Sequence, residues 1–377
     1  MAFDFASILG RIERELHSAL PAESTSAWRT NVFGKLPDAV QDSHCVPLVE
    51  PTERLLSNAG KRWRPLLQVL CAQAASQALG RSCAEQDAVT EQAIQLAPLV
   101  ELVHTASLIH DDIEDSADTR RGLPAAYITY GLDTALNAGS WLYFLAPQCL
   151  SQVSCTDNFR VRLYELYLRE LRRLHLGQAM DIFWHRTPDV FPTEAEYLAM
   201  VTNKTGTLAS LAAQVGTLVA HADEDLVSKA GTIAAQVGAG FQIIDDVLNL
   251  TTGNPGKERG DDIVEGKKSL PVILFAQRCP QDRSELQACF AQAHEQGVQS
   301  PAVETAINLL KTSGSIQDAE ERGRTFIAEG CKSFEQLFAE SDVQKKKSVY
   351  PSGVSAAMAI TELFGAMIPF HTGAAHA

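Results

Sequence analysis

The segment Leu108-Ile-His-Asp-Asp-Ile-Glu-Asp115 closes an apolar run with four carboxylates in five residues. Residues Ala97 to Ile109 before it hold no glycine. Their only proline, Pro98, sits near the start, where a helix tolerates it best. On a helix, Asp111 and Asp115 share one face a turn apart, Asp112 and Glu114 flank it, and Asp118 continues it. Carboxylates this dense repel one another and cost desolvation, so they need counter-charge. Hard divalent cations bound through oxygen supply it.

A second apolar run ends the same way, in Gly240-Phe-Gln-Ile-Ile-Asp-Asp-Val-Leu-Asn249. Two long helices with acidic ends, facing each other across a bundle, suit a ligand rich in negative oxygens, above all a diphosphate bridged by magnesium. Basic residues cluster beside glycine turns at Lys61, Arg62 and Arg64, at Arg120 and Arg121, at Lys204, and at Lys257, Arg259, Lys267 and Lys268. Arginine offers a two-pronged donor set and lysine a mobile point charge, both fitted to phosphate oxygens. Taken singly, each feature has an ordinary explanation. An acidic turn is often a solvated helix end, Lys61 and Arg64 are surface types, and Gln178 and Asp181 can cap a helix. His104 and His110 lack the spacing of zinc ligands. The pairing of two acidic closures is what sets this chain apart.

Stepping out to the whole chain, 377 residues with 45% hydrophobic and 21% charged content fit a globular protein. A net charge of -14 argues against a nucleic-acid partner, because no broad basic surface is available. The eight cysteines form no C-x-x-C pair and read as free thiols of a reducing compartment. No signal-like segment and no membrane-spanning apolar run is found, so a cytoplasmic protein is expected. Helical periodicity dominates over 1–20, Leu66 to Leu79, Ala125 to Leu150, Arg160 to Asp181, Thr193 to Ala220 and Asp223 to Leu250. The first acidic helix is expected to end near Arg120. Residues Phe183 to Pro192 and Thr251 to Lys268 read as loops, the second placed to cover a site. Helix resumes from Leu270 to about Phe338. Lys345 to Pro351 is a basic break, and a last helix runs from Val354 to Met367. Convincing strands, dinucleotide fingerprints and a Walker lysine are absent. The fold class is all-α, a helical bundle.

These motifs resemble those of the trans-isoprenyl diphosphate synthases, the polyprenyl synthetase family. DDxxD followed by RRG matches Asp111, Asp112, Asp115, Arg120 and Arg121. FQxxDDxxD matches Phe241, Gln242, Asp245 and Asp246, with Asn249 in place of the last aspartate. Asn at this place also resembles eukaryotic-type geranylgeranyl synthases. GKRxRP matches Gly60 to Pro65, KT matches Lys204 and Thr205, and GxDxxEGK matches Gly260 to Lys267. The resemblance covers about residues 55 to 270.

The resemblance implies an isoprenoid synthase-type bundle around a central cavity. It would be one domain over 1–377, with its motif-bearing core at about 55–270 and C-terminal helices at 271–368. It implies condensation of an allylic diphosphate with isopentenyl diphosphate, releasing pyrophosphate, in a homodimer. Three magnesium ions, or manganese in their place, would be held by Asp111, Asp112, Asp115 and Asp245, with Asp246 and Asn249 in support. Arg120, Lys204, Lys257 and Lys267 would bind the allylic diphosphate. Lys61, Arg64, His104 and Arg121 would bind isopentenyl diphosphate. Lys204, Thr205 and Gln242 would steady the cation formed between Asp111 and Asp245. Ala106 and Ser107, where fifteen-carbon synthases carry aromatics, are small, which favours a product of twenty carbons or more. Val103, Leu102 or a residue of a partner chain would be the floor. A terpene cyclase of the same fold and a regulatory subunit of a heteromeric synthase are the alternatives. Lys61 and Arg64 speak against the first, and the intact first motif against the second.

Overall fold

The computed structural model describes residues 4–58, 60–253, 258–339 and 355–368. The chain runs through α1 (Phe5–Ala19), α2 (Ser26–Phe33), α3 (Val46–Ser57), α4 (Trp63–Ala78), α5 (Cys83–Gln95), α6 (Pro98–Glu114), α7 (Ala126–Tyr130), α8 (Leu132–Leu145) and α9 (Asp157–His185). It continues through α10 (Glu194–Val201), α11 (Thr207–Val219), α12 (Glu224–Thr251), α13 (Asp261–Val264), α14 (Leu270–Arg278), α15 (Arg283–Gln296), α16 (Pro301–Thr312), α17 (Ser315–Leu337) and α18 (Ala356–Met367). The expected Lys345 to Pro351 break lies outside the described residues.

Burial follows sequence. Every residue of α11, Thr-Leu-Ala-Ser-Leu-Ala-Ala-Gln-Val-Gly-Thr-Leu-Val, is buried. A helix apolar on all sides can only sit inside. It packs between α4 and α12, and Gly216 lets it close on α4: a Cβ there would stand 2.2 Å from the Gln68 carbonyl oxygen. Helix α12 divides two cores. Ala234, Val237 and Ile244 join the core built on α4, α6 and α11, while Ala239, Ile243 and Val247 join the one built on α14 to α16. Caps fix the long helices. The Thr156 hydroxyl accepts from the Phe159 N–H ahead of α9, and the Asp223 carboxylate from the Leu226 N–H ahead of α12.

The first acidic helix stops sooner than its sequence pattern predicts. Asp115 is the C-cap of α6, and Ser116 turns left-handed with φ +55°. The Ala117 N–H then donates to the Asp112 carbonyl at 2.9 Å, the closing bond of a Schellman turn. Asp118 therefore lies beyond the helix, not on its next turn. A two-residue hairpin follows, the one ladder among the described residues, where the sequence shows no strand. Thr119 pairs with Pro124 and Arg120 with Leu123, across Arg121 and Gly122, both at positive φ. Two left-handed central residues make the turn that matches strand twist, so four residues suffice.

The expected single helix over Thr193 to Ala220 is also broken. Thr202–Gly206 forms one π turn, which carries Lys204 and Thr205. Helix α9 lies tight against it, because a Cβ on Gly177 would stand 2.2 Å from the Lys204 amide nitrogen.

Arg62, left-handed at φ +47°, is buried ahead of α4. Its guanidinium donates to Glu13 of α1 at 2.8 Å, to Glu101 of α6 at 2.9 Å, and to the Leu56 carbonyl of α3.

Two outcomes follow. Glu101→Ala leaves the buried Arg62 guanidinium with only the half-exposed Glu13 as counter-charge and lowers the unfolding free energy by about 2 kcal/mol in urea titrations. Gly177→Ala displaces the π turn and cuts turnover about a hundredfold or more, since small misplacements of catalytic groups cost that much, while far-UV circular dichroism stays unchanged.

Candidate active site

Lysines paired to the C-terminal end of α6 line a cleft that also holds the acidic end of α12. At the first end, Arg120 folds back from the hairpin. Its Nε donates to Asp112 Oδ1 at 2.6 Å and its Nη2 to Asp111 Oδ2 at 3.2 Å. Burial opposes the charge of Arg120, but Asp112 and Asp111 hold it firmly protonated. Lys204 Nζ, from the π turn, lies 3.2 Å from Asp111 Oδ1 and 2.6 Å from Asp181 Oδ2. Burial works against the Lys204 charge too, and the two carboxylates outweigh it. Asp181 is buried, yet Lys204 and His185 keep it well below the usual carboxylate range, with His185 Nε2 at 2.9 Å from Oδ1. Gln178 Nε2 donates to Glu114 Oε2 at 2.5 Å and Asp111 Oδ1 at 3.3 Å.

Lys267 ties its own loop to the end of α6. Its Nζ stands 3.5 Å from Asp115 Oδ2, 3.4 Å from Asp262 and 2.6 Å from Glu265. Lys204, Lys267, Lys268, Asp181, Gln242, Asp245, Asp246 and Asp262 line one open cleft of about 480 Å³.

Within the second motif the three acidic positions part ways. Asp245 is exposed to the cleft. Asp246 is buried and accepts from the Tyr197 hydroxyl at 2.6 Å and the Gln242 amide at 2.9 Å. Burial, with Asp262 nearby, pushes its carboxyl up to about 7. Asn249, only 1% exposed, does not face open solvent: its Oδ1 accepts from the Asp262 N–H at 3.2 Å, and its carbonyl accepts from the Gly260 N–H at 3.0 Å. It pins the loop that delivers Lys267. Thr205 Oγ1 donates to Gln242 Oε1 at 2.7 Å, joining the KT and FQ motifs directly.

A second, cation-rich cluster lies at the start of α4. Arg64 Nη1 is 3.2 Å from His104 Nε2, and its guanidinium lies 4.5 Å from the Trp63 ring centre. Burial draws Arg64 down to about 10. Burial, then Arg64, Arg121, Arg120 and Arg62, drives His104 far below its ordinary range, so it is neutral at pH 7. Arg121 donates to the Leu55 and Asn58 carbonyls at 3.3 and 2.8 Å. Lys61 is exposed at the rim. Arg62 belongs to the bundle's lock and not to this cluster. Lys257 lies outside the described residues.

Below Asp111, Ala106 and Val103 are fully buried in helix contacts and Ser107 is half-buried. An aromatic stack stands beside them. His110 and Tyr143 are 5.5 Å apart with planes 8° off parallel, and His175 meets Tyr143 edge-on at 5.3 Å. Burial, and then Glu114 and Asp111, raise the Tyr143 hydroxyl well above its ordinary value.

Sequence reading missed His185, Tyr197, Glu265 and the ring stack, and took Asp181 only for a capping residue. Only the Asp181–His185 pair carried a signal, its i,i+4 spacing on one helix.

Among the described residues no group of three His, Cys, Asp or Glu side chains is drawn together tightly enough to hold a metal ion as it stands. The donors nevertheless fit a hard cation. All are carboxylate oxygens, and Asp115 Oδ2 is buried with no hydrogen-bond donor, its ion pair with Lys267 stretched to 3.5 Å.

Comparison with known proteins agrees. A polyprenyl synthetase family model matches residues 46–308. A geranylgeranyl pyrophosphate synthase of Macrophomina phaseolina is 37% identical over 233 residues, 61% of this chain and 68% of that one. Another from Apiospora sacchari is 32% identical over 317 residues, 84% and 88% of the two chains. The crystal structure of a geranylgeranyl pyrophosphate synthetase from Pyrococcus horikoshii superposes with a TM-score of 0.76 at 26% identity, covering 97% of this chain and 98% of that one. The chain belongs to the polyprenyl synthetase family, whose members use magnesium, and it is a prenyltransferase.

Proposed function

We propose that the protein joins an allylic diphosphate head to tail with isopentenyl diphosphate and makes a product of at least twenty carbons. The observation that carries this reading is that Lys204 and Lys267, ion-paired to Asp111 and Asp115 of the first acidic helix end, also line the cleft that holds Asp245 and Asp246 of the second, beside a separate cluster of arginines around a neutral His104. One site suits a metal-bridged diphosphate, the other a diphosphate bound by protein cations alone. The relatives named as geranylgeranyl synthases favour twenty carbons.

Asp111, Asp115 and Asp245 would hold magnesium, three ions in all, with Asp112 and Asp246 kept in place by Arg120 and by Tyr197 and Gln242. Bound there, the ions would neutralise the diphosphate and favour its departure. Arg120, Lys204 and Lys267 then exchange carboxylate partners for phosphate oxygens. The allylic C–O bond breaks and its electron pair leaves with pyrophosphate, whose new charge those cations stabilise. Thr205, Gln242 and the π-turn carbonyls face the resulting carbocation with fixed dipoles. Arg64, Arg121 and Lys61 hold isopentenyl diphosphate so that its double bond forms the new C–C bond. A proton then passes to pyrophosphate. No protein nucleophile takes part, and the closed cleft must exclude water.

We also read residues 1–377 as one catalytic domain, since the larger core takes residues from Ile8 to Phe364 and α12 contributes to both cores. A homodimer is supported by the apolar face of α8 and α9, where Leu132, Leu136, Val161, Leu168 and Leu176 are exposed and Phe144 is 80% accessible. No helix among the described residues is long and apolar enough to cross a membrane, and all eight cysteines are free, which favours the cytoplasm.

Purified protein with magnesium, labelled isopentenyl diphosphate and each allylic primer in turn should yield labelled polyprenyl diphosphate. Failure with every primer would refute the reading. Asp245→Ala should lower kcat about a hundredfold or more. Asn249→Ala, acting through the loop, should chiefly raise the allylic KM, about tenfold. Equal small effects would remove Asp245 from the metal set. Tyr143, stacked on His110 beside the first aspartate, would stop the tail in place of Val103 or Leu102, so Tyr143→Ala should lengthen the product by at least one isoprene unit on chromatography, each buried carbon favouring extension by ~0.8 kcal/mol.

A further inference from the structure

Lys267 and Lys268 are neighbours with opposite partners. Lys267 reaches the carboxylates of Asp115, Asp262 and Glu265. Lys268 is 4% exposed, and its Nζ lies 4.9 Å from the ring centres of both Phe191 and Phe290. Phe191 comes from the connection between α9 and α10, and Phe290 from α15. The Arg283 guanidinium is 5.8 Å from the Phe191 ring, so that ring meets two cations. Burial draws the Lys268 amine down to about 8, against the favourable charge of Asp189. It is still mostly charged at neutral pH, the state in which ring faces attract it.

The first half of this loop is fixed elsewhere. Asn249 accepts from the Gly260 and Asp262 amides, and His294 Nδ1 lies 3.2 Å from the Val264 carbonyl. After Gly266, at φ +75°, the chain has to be held again before α14 begins. Lys267 must leave Asp115 when that carboxylate is needed for a cation, so its backbone has to stay still while its side chain moves.

We propose that Lys268 is a positioning residue: its amine, clamped between Phe191 and Phe290, fixes the backbone from which Lys267 reaches the allylic diphosphate. This deepens the condensation reading and rests on it. The pair is therefore split by role, one lysine for the substrate and one for the scaffold.

The test compares wild type, Lys268→Leu, Lys268→Arg, Phe290→Leu and the Lys268→Leu/Phe290→Leu double variant. Lys268→Leu and Phe290→Leu should each raise the allylic KM about tenfold, with kcat and the isopentenyl KM within about twofold. The double variant should be no worse than either single one, because both break the same contact. Lys268→Arg should restore the allylic KM to within about threefold. Hydrogen exchange of substrate-free protein should show faster amides at 265–268 in Lys268→Leu. Unchanged allylic KM in Lys268→Leu would overturn the proposal. So would additive effects in the double variant, or a silent Phe290→Leu beside an impaired Lys268→Leu, which would put the amine on the substrate itself. Wild-type protein that consumes no isopentenyl diphosphate would sink the condensation reading, whereas the exchange measurement decides the clamp without any turnover.

Discussion

The structure depends on bringing two helix C-termini together, although both ends carry carboxylates and the negative pole of the helix dipole. Asp115 caps α6, and Asp245 and Asp246 lie in the last two turns of α12. Each location disfavours anions. The arrangement survives because basic residues from other elements pair with the carboxylates of α6: Arg120 from the hairpin, Lys204 from the π turn, Lys267 from the loop. Lys204 and Lys267 also line the cleft beside Asp245 and Asp246. These ion pairs offset the repulsion that the two acidic ends would otherwise impose on the fold.

The supporting scaffold is graded to match. Around Arg62 and Glu101 the bundle is locked by buried, direct ion pairs that join α1, α3, α4 and α6. Around Asp246 the supports are neutral donors, Tyr197 and Gln242, which steady a carboxylate without cancelling it. The difference suits the two jobs. A lock should neutralise its charge completely, whereas a site must keep some for its ligand.

Much of this was legible in the sequence because it rests on pattern. Helix periodicity gave the bundle, and paired Asp-Asp closures gave the cleft. What stayed hidden rests on a single bond or a single residue. Nothing in Ser116 announces a left-handed turn, since glycine is the usual occupant, so α6 read as longer than it is. Asn249 looked like a weakened aspartate, and only the Asp262 N–H reveals it as a loop support. Lys267 and Lys268 cannot be told apart by type. Arg62 and Arg64 sit two residues apart, and burial by different neighbours sends one to the scaffold and the other to the cluster.

The π turn at Thr202–Gly206 carries a consequence for how the chain tolerates change. Such a turn holds one more residue than an ordinary helical turn, so everything after it is rotated by about 100° relative to a continuous helix. The fully buried faces of α11 are in phase with α4 and α12 only because of that offset. Deleting one residue here would leave a more regular helix and a worse protein, with Gly216 turned away from the Gln68 carbonyl of α4 and bulkier residues turned towards it. Substitutions in this stretch are a matter of side-chain chemistry, but its length is a matter of angle.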